Sequence, residues 1–213
     1  MTSCRNRGHR RRAAEVAARV LALLVFLLLP LSASQKESGA AISKSAAASC
    51  GSKVKALETH AAHPQPGKNN VTKFSEEEIN SYLALDLRSK YHPSLKSLVF
   101  TFDESVLESF AVIDFDQLAA NSRKLSTRLL AGMFSGVHNL RVRGRLITKA
   151  GKAKFQLIEA RFDDSAIPNF LVEEIITVVG RRQKPPFDPM QFSQMPWKIQ
   201  QVDLHKGHIV VHQ

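Results

Sequence analysis

Three consecutive glutamates, Glu76, Glu77 and Glu78, stand near the start of "FSEEEINSYLALDL" at residues 74–87. Carboxylates this concentrated could hold a metal ion or move a proton. Their neighbours assign them a different role. Ser75 and Glu78 have the spacing of a capping box, and Phe74 and Ile79 that of a hydrophobic staple, so the glutamates fall in the first turn of a helix. There they offset the positive end of the helix macrodipole. Successive helical residues point about 100° apart, so the three side chains do not converge on one ion.

His205, His208 and His212 surround the last turn of the chain, with His208 and His212 on one strand face. No set of neighbours spells a tetrahedral site with them, so they read as surface histidines and no metal is expected. "GMFSGVH" brings Ser135 close to His138 but lacks the G-x-S-x-G elbow of an activated serine. There is no glycine-rich phosphate loop or dinucleotide fingerprint. The reading is therefore non-enzymatic, with no catalytic residue and no cofactor. A binding surface is better supported. In "NLRVRGRLITKAGKAKF", alternation places Arg141, Arg143, Arg145, Lys152 and Lys154 on one strand face, together with Lys149, where guanidinium groups can fork onto phosphate oxygens. A solvated strand face is the plainer alternative.

The net charge of +11 suggests nucleic acid until it is divided along the chain. Residues 1–34 carry six Arg and one Glu, residues 35–70 five Lys and two Glu, and residues 71–213 only three more basic than acidic groups. Most of the excess precedes residue 71, so nucleic acid is not the expected partner. The first segment is basic, then apolar from Val20 to Leu29, then Pro30 and small residues, which is the layout of a secretory signal. Residues 1–33 are read as a signal peptide or an uncleaved signal anchor. The protein is then exported, periplasmic or tethered at a membrane. Arg10 to Arg12 lack the sequel of a twin-arginine signal, and Cys50 lies too far beyond the apolar run for lipoprotein processing. Cys4 goes with the signal, leaving one thiol and no internal disulfide. For an exported protein, phospholipid head groups suit the basic face, because an anionic membrane attracts nearby basic residues by about 1 kcal/mol each.

Residues 34–70 are rich in Ala, Ser, Lys, Gly and Pro and read as a disordered linker, with His60 and His63 solvated and Asn70-Val71-Thr72 a glycosylation sequon. Residues 71–213 read as one domain. After the first helix, which carries Ile79, Tyr82, Leu83 and Leu87 at helical spacing and ends before Pro93, the period becomes two. Leu98, Phe100 and Phe102 then alternate with polar partners, and "SVLESFAVIDF" follows a turn at Asp103 to Ser105, making a hairpin. Residues 116–134 suggest a helix. A second hairpin turns at Ala150-Gly151, so facing residues sum to 301, and Val142, Gly144 and Leu146 share a face with Phe155 and Leu157. "IPNFLVEEIITVVGRR" predicts an apolar helix, and the chain closes with a hairpin at "HKG".

Three of these stretches resemble the LmeA-like family of exported bacterial phospholipid-binding proteins, of the tubular lipid-binding type. They are "FSEEEINSYLA", "NLRVRGRLITKAGKAKFQLIEARFDDSAIPNFLVEEII" and "MPWKIQQVDLHKGHIVVH". The resemblance implies an α+β fold in which a curved antiparallel β-sheet wraps around one long helix, with a second apolar helix. It also implies an apolar groove for the acyl chains of phospholipid and no catalytic machinery. Ile79, Leu83, Leu87, Phe170, Leu171, Ile175 and Val178 are then candidates for the groove, and Arg141, Arg143, Arg145, Lys152 and Lys154 for head groups at an anionic membrane surface. The same apolar residues would equally form plain core. In that case the protein is an envelope interaction or scaffolding protein with no ligand, bound by its partners at strand edges or at the basic face. The oligomeric state is left open by the sequence.

Overall fold

The computed structural model describes residues 41–64, 67, 69–91, 93–120, 135–180 and 186–213, with the side chains of 118–120, 171, 174, 175 and 178–180 left aside. The fold is α+β with antiparallel sheets and few helices. Helices α1 (Lys44–Ala62), α2 (Glu76–Leu85), α3 (Phe115–Ala120) and α4 (Asn169–Gly180) accompany strands β1 (Val71–Ser75), β2 (Leu95–Asp103), β3 (Val106–Asp114), β4 (Val137–Lys149), β5 (Lys152–Phe162), β6 (Ser165–Ala166), β7 (Ser193–Gln194), β8 (Gln201–His205) and β9 (His208–His212). The larger sheet has the order β2-β3-β4-β5-β6 with β7 also on β5, and the smaller is β1-β9-β8. Of the helix expected over 116–134, α3 is the described part, and 121–134 lie outside the described residues. None of the described helices is long and apolar enough to cross a membrane.

The disordered linker expected over 34–70 is corrected for residues 44–62, which form α1. Ser43 caps it, its Oγ accepting from the Ala46 N–H at 3.1 Å. Ala47, Cys50, Val54 and Leu57 recur at alternating three- and four-residue steps and are all buried in the core, with Ala61 packed against it. That is a helical stripe of Ala, Cys and Val with a single Leu, so bulk composition concealed it. Small size also serves the packing. A Cβ on Gly51 would stand 3.3 Å from the Tyr82 ring, so this position lets α1 and α2 approach closely.

β1 was not foreseen as a strand. It pairs with β9 from Val71↔His212 to Ser75↔His208, bringing the last strand beside the entry to α2. The chain end is held as well: the Gln213 side-chain amide donates to the Leu57 and Trp197 carbonyls at 2.9 and 2.7 Å.

Both long hairpins follow period two, with β3 alternating between half-buried and buried residues. Leu107, Ala111, Ile113, Leu140, Val142, Phe155, Leu157 and Ala160 face the core, along with Leu98, Phe100 and Phe102 of β2. The expected β4–β5 register holds from Lys149↔Lys152 to Gly144↔Leu157 and then shifts by one, so that Arg143 faces Glu159 and Arg141 faces Arg161. Gly144 marks the shift. A Cβ there would fall 2.0 Å from Phe155 Cζ, so the ring lies over the space that a side chain would need.

The packing of α1 has a direct test. Leu57→Ala removes a fully buried side chain and is expected to lower unfolding stability by about 2–5 kcal/mol, read from urea denaturation. An unchanged urea midpoint would return residues 44–62 to the status of a linker.

Candidate functional site

The face of the larger sheet turned away from the core carries the charged residues, because β4 and β5 alternate and their even-odd pattern sends Arg and Lys outward. Its half distant from the Ala150-Gly151 turn is a depression of about 260 Å³ lined by Asp103, Glu108 and Glu159 on the one hand and Arg141, Arg143 and Arg161 on the other, with Thr101 and Val106. Arg141 Nε lies 3.3 Å from Glu108 Oε1, and Arg161 Nη1 lies 3.2 Å from Glu159 Oε1. Arg143 has Glu108 as cross-strand partner on β3 and Glu159 on β5. Three guanidinium groups are thus matched by three carboxylates. Arg141 and Arg143, expected as a purely basic pair, belong to a charge-balanced surface, because β3 and the shifted register of β5 bring glutamates beside them.

The half nearer the turn differs. Arg145, Lys149, Lys152 and Lys154 lie there, and among the described residues none of the four is in an ion pair with a carboxylate. Lys154 Nζ stands over the ring of Phe192, 5.1 Å from its centroid, a cation–π contact. Phe192 was not among the expected site residues. Its signal was an aromatic residue in the Pro-rich passage before the closing strands, where no strand or helix pattern would bury it.

The apolar candidates divide. Ile79, Leu83 and Leu87 are buried in the main core. Phe170 is 65% exposed, whereas Val172, Ile176 and Thr177 are buried among the described side chains of α4, so these face inward and Phe170 does not. The side chains of Leu171, Ile175 and Val178 lie outside the described residues.

Each glutamate at the start of α2 holds a different part of the chain. Glu76 Oε2 accepts from the Phe102 N–H at 2.9 Å, and Glu77 Oε1 from the Ser43 hydroxyl at 3.1 Å. Glu78 closes the capping box, accepting from the Ser75 N–H at 2.8 Å while its own N–H donates to Ser75 Oγ at 3.1 Å. The same carboxylate accepts from Ser49 and pairs with Lys53 Nζ at 2.6 Å. Burial works against its charge, but the bonds from Lys53, Ser49 and the Ser75 N–H outweigh burial and hold its carboxyl below the usual value. One turn on, buried Asn80 donates to the Phe100 carbonyl and accepts from the Phe100 N–H, both at 2.8 Å. Asn80 was also missed. Its signal was a polar residue four positions after Glu76, hence on the same helical side.

The histidines are occupied individually. His205 Nδ1 lies 3.4 Å from Glu104 and stacks on His208 at 5.0 Å, while His212 Nε2 lies 2.9 Å from Asp203. His138 has Nδ1 against the Asp163 carboxylate at 2.6 Å and Nε2 against the Ser135 carbonyl at 2.7 Å. Among the described residues no group of three side chains is arranged to hold a metal ion. Burial pushes the Cys50 thiol up to about 12, so at neutral pH it is a packing residue rather than a nucleophile.

Comparison of the chain with protein-family models, curated proteins and solved structures gives no match.

The Glu78 cluster generates a pH dependence. A carboxyl held low in the fold contributes stability that is complete above the ordinary carboxylate range and is lost as pH falls through the folded value. Glu78→Gln is expected to destabilise the protein by about 1–3 kcal/mol at neutral pH and to converge on the wild type in acid, so its stability falls less steeply below about pH 5. Parallel stability curves for the two proteins would show that Glu78 is not a linked group.

Proposed function

We propose that this is an exported, non-enzymatic phospholipid-binding protein of the bacterial cell envelope, periplasmic or tethered by its N-terminal segment. In this reading the larger sheet curves around one long helix, and acyl chains occupy an apolar groove to which α4 contributes. Cationic side chains of the β4–β5 hairpin meet the head groups.

The observation that carries the reading is the pairing of an unusually apolar α4, packed beside β5, with cations of the β4–β5 hairpin that are in no ion pair with a carboxylate among the described residues. One element offers a site for hydrocarbon and the other a site for phosphate, which is the pair of chemistries a phospholipid presents. Register shifts in β2–β3 and β4–β5 agree with a curved sheet, because bulges bend strands and raise their twist. The resemblance of "NLRVRGRLITKAGKAKFQLIEARFDDSAIPNFLVEEII" to the LmeA-like family points the same way.

The scaffolding alternative places partners at strand edges or at the basic face, and its first route is narrowed because much of both edges of the larger sheet is occupied. On β2, Phe100 and Phe102 bond to Asn80, Glu76 and the Gly207 N–H. On β5, the Phe155 N–H donates to the Pro189 carbonyl and the Ala160 carbonyl accepts from the Ile167 N–H, with β7 pairing at Lys152 and Ala153. Little backbone is left for a partner strand to join.

Copurification tests the proposal. Protein purified gently from the cells that express it is expected to carry about one phospholipid, seen as a mass increment in native mass spectrometry and identified after extraction. Recovery solely at the ligand-free mass, with no uptake of a fluorescent phospholipid, would contradict it.

A further inference from the structure

The exposed apolar side chains of the described residues are not spread evenly. Ile42, Val71, Leu85 and Val137 lie at the beginnings or ends of separate elements, but Ile158, Phe170 and Phe192 gather along β5. Phe192 is 43% exposed and covers Lys154. Ile158 is 38% exposed, and its carbonyl accepts from the Asn169 side chain, which places the start of α4 and so Phe170 beside it. Lys154 and Ile158 are four residues apart on one strand, about 13 Å, so aromatic and aliphatic groups extend along one margin of the sheet. Arg145, Lys149, Lys152 and Lys154 occupy the adjoining half of the outer face.

We infer that this margin, formed by the turn half of the β4–β5 hairpin with Phe192, Ile158 and Phe170, is the face that seats the protein on an anionic bilayer. The inference rests on the lipid reading above and adds the surface at which a membrane is met. Bilayer interfaces take apolar side chains into the boundary between head groups and acyl chains while cations remain at the level of the phosphates. Lysine suits this arrangement, because its flexible stem lies along apolar surface and its ammonium group needs no fixed partner geometry. Three of the four cations here are lysines, whereas the three guanidinium groups of the balanced half face carboxylates of the protein itself. The division supplies an orientation: the balanced half gains nothing from an anionic surface, so the turn half approaches it. A protein partner that adds a strand is disfavoured because β7 and the Pro189 carbonyl already occupy backbone groups on this margin.

The test uses the full chain carrying Phe192→Trp, with the wild type as background, since the native Trp197 is buried. The vesicles are phosphatidylglycerol mixed with phosphatidylcholine, or phosphatidylcholine alone, each with brominated acyl chains. On anionic vesicles the variant is expected to show a blue shift and at least twofold more quenching than the wild type. Both signals are expected to be lost with added salt, with neutral vesicles, or when Lys149→Glu, Lys152→Glu and Lys154→Glu are combined with F192W. Quenching no greater than in the wild type overturns the inference even where the N-terminal segment keeps the protein on the vesicle. Equal quenching on neutral vesicles, or its survival in the charge-reversed protein, overturns it too. Phospholipid content is measured on the same preparations. Bound lipid without quenching leaves the lipid reading standing and removes this face, whereas quenching without bound lipid supports the face and counts against the groove.

Discussion

The Asn80 side chain bonds both the N–H and the C=O of Phe100, and Glu76, one turn earlier on α2, bonds the N–H of Phe102. β2 lies at the end of the larger sheet, where outward backbone groups would otherwise be buried without partners, at a cost of about 1–3 kcal/mol each. α2 takes the place of a neighbouring strand. Its position is fixed in turn by Ser75 and Glu78 at its start, and Glu78 extends the same carboxylate to Lys53 and Ser49 of α1. Sheet edge, second helix and first helix are therefore joined through four consecutive or near-consecutive side chains. The core forms beneath this joint, with Ile79 and Leu83 of α2, Leu57 of α1 and Phe100 of β2 fully buried.

With one edge satisfied in this way, the sheet grows in the other direction through two long hairpins, and its two faces acquire different tasks. The inner face is uniformly apolar except for groups such as Ser109, whose hydroxyl donates to the Val142 carbonyl. The outer face is divided by the register shift near Gly144. Beyond the shift, acidic residues of β3 and β5 are brought against arginines. Toward the turn, no cation is in an ion pair with a carboxylate among the described residues. The one-residue shift on β5 sets Glu159 opposite Arg143, while Glu108 meets Arg141 from β3, where the register is unbroken.

Features written locally were legible in the sequence. The capping box and the staple depend on spacing within a few residues, and the two-residue turn at Ala150-Gly151, with φ of 48° and 75°, sets the hairpin register for its first six rows of residues. Features that depend on distant partners were not. α1 is apolar mostly at small or medium residues with one leucine, so its stripe at Ala47, Cys50, Val54 and Leu57 acquires meaning once Tyr82 and the core lie against it. β1 is too short to stand out, and it is a strand because β9 pairs with it. The neutralisation of Arg141 depends on Glu108, which lies 33 residues earlier and across a strand boundary. Phe192 stands out in sequence only as an aromatic residue in a Pro-rich passage, and its contact with Lys154, 38 residues earlier, depends on the fold.

The functional account places hydrocarbon at α4 and phosphate at the β4–β5 hairpin, two adjacent elements joined by the short β6. Its apolar half is tested most directly by location. A phospholipid carrying a photoreactive diazirine in its acyl chain, loaded into the full-length protein and activated by light, is expected to form adducts that peptide mapping assigns to Asn169–Gly180. Adducts confined to the apolar run at Val20 to Leu29, or absent from α4 in protein that carries the probe, would contradict the account.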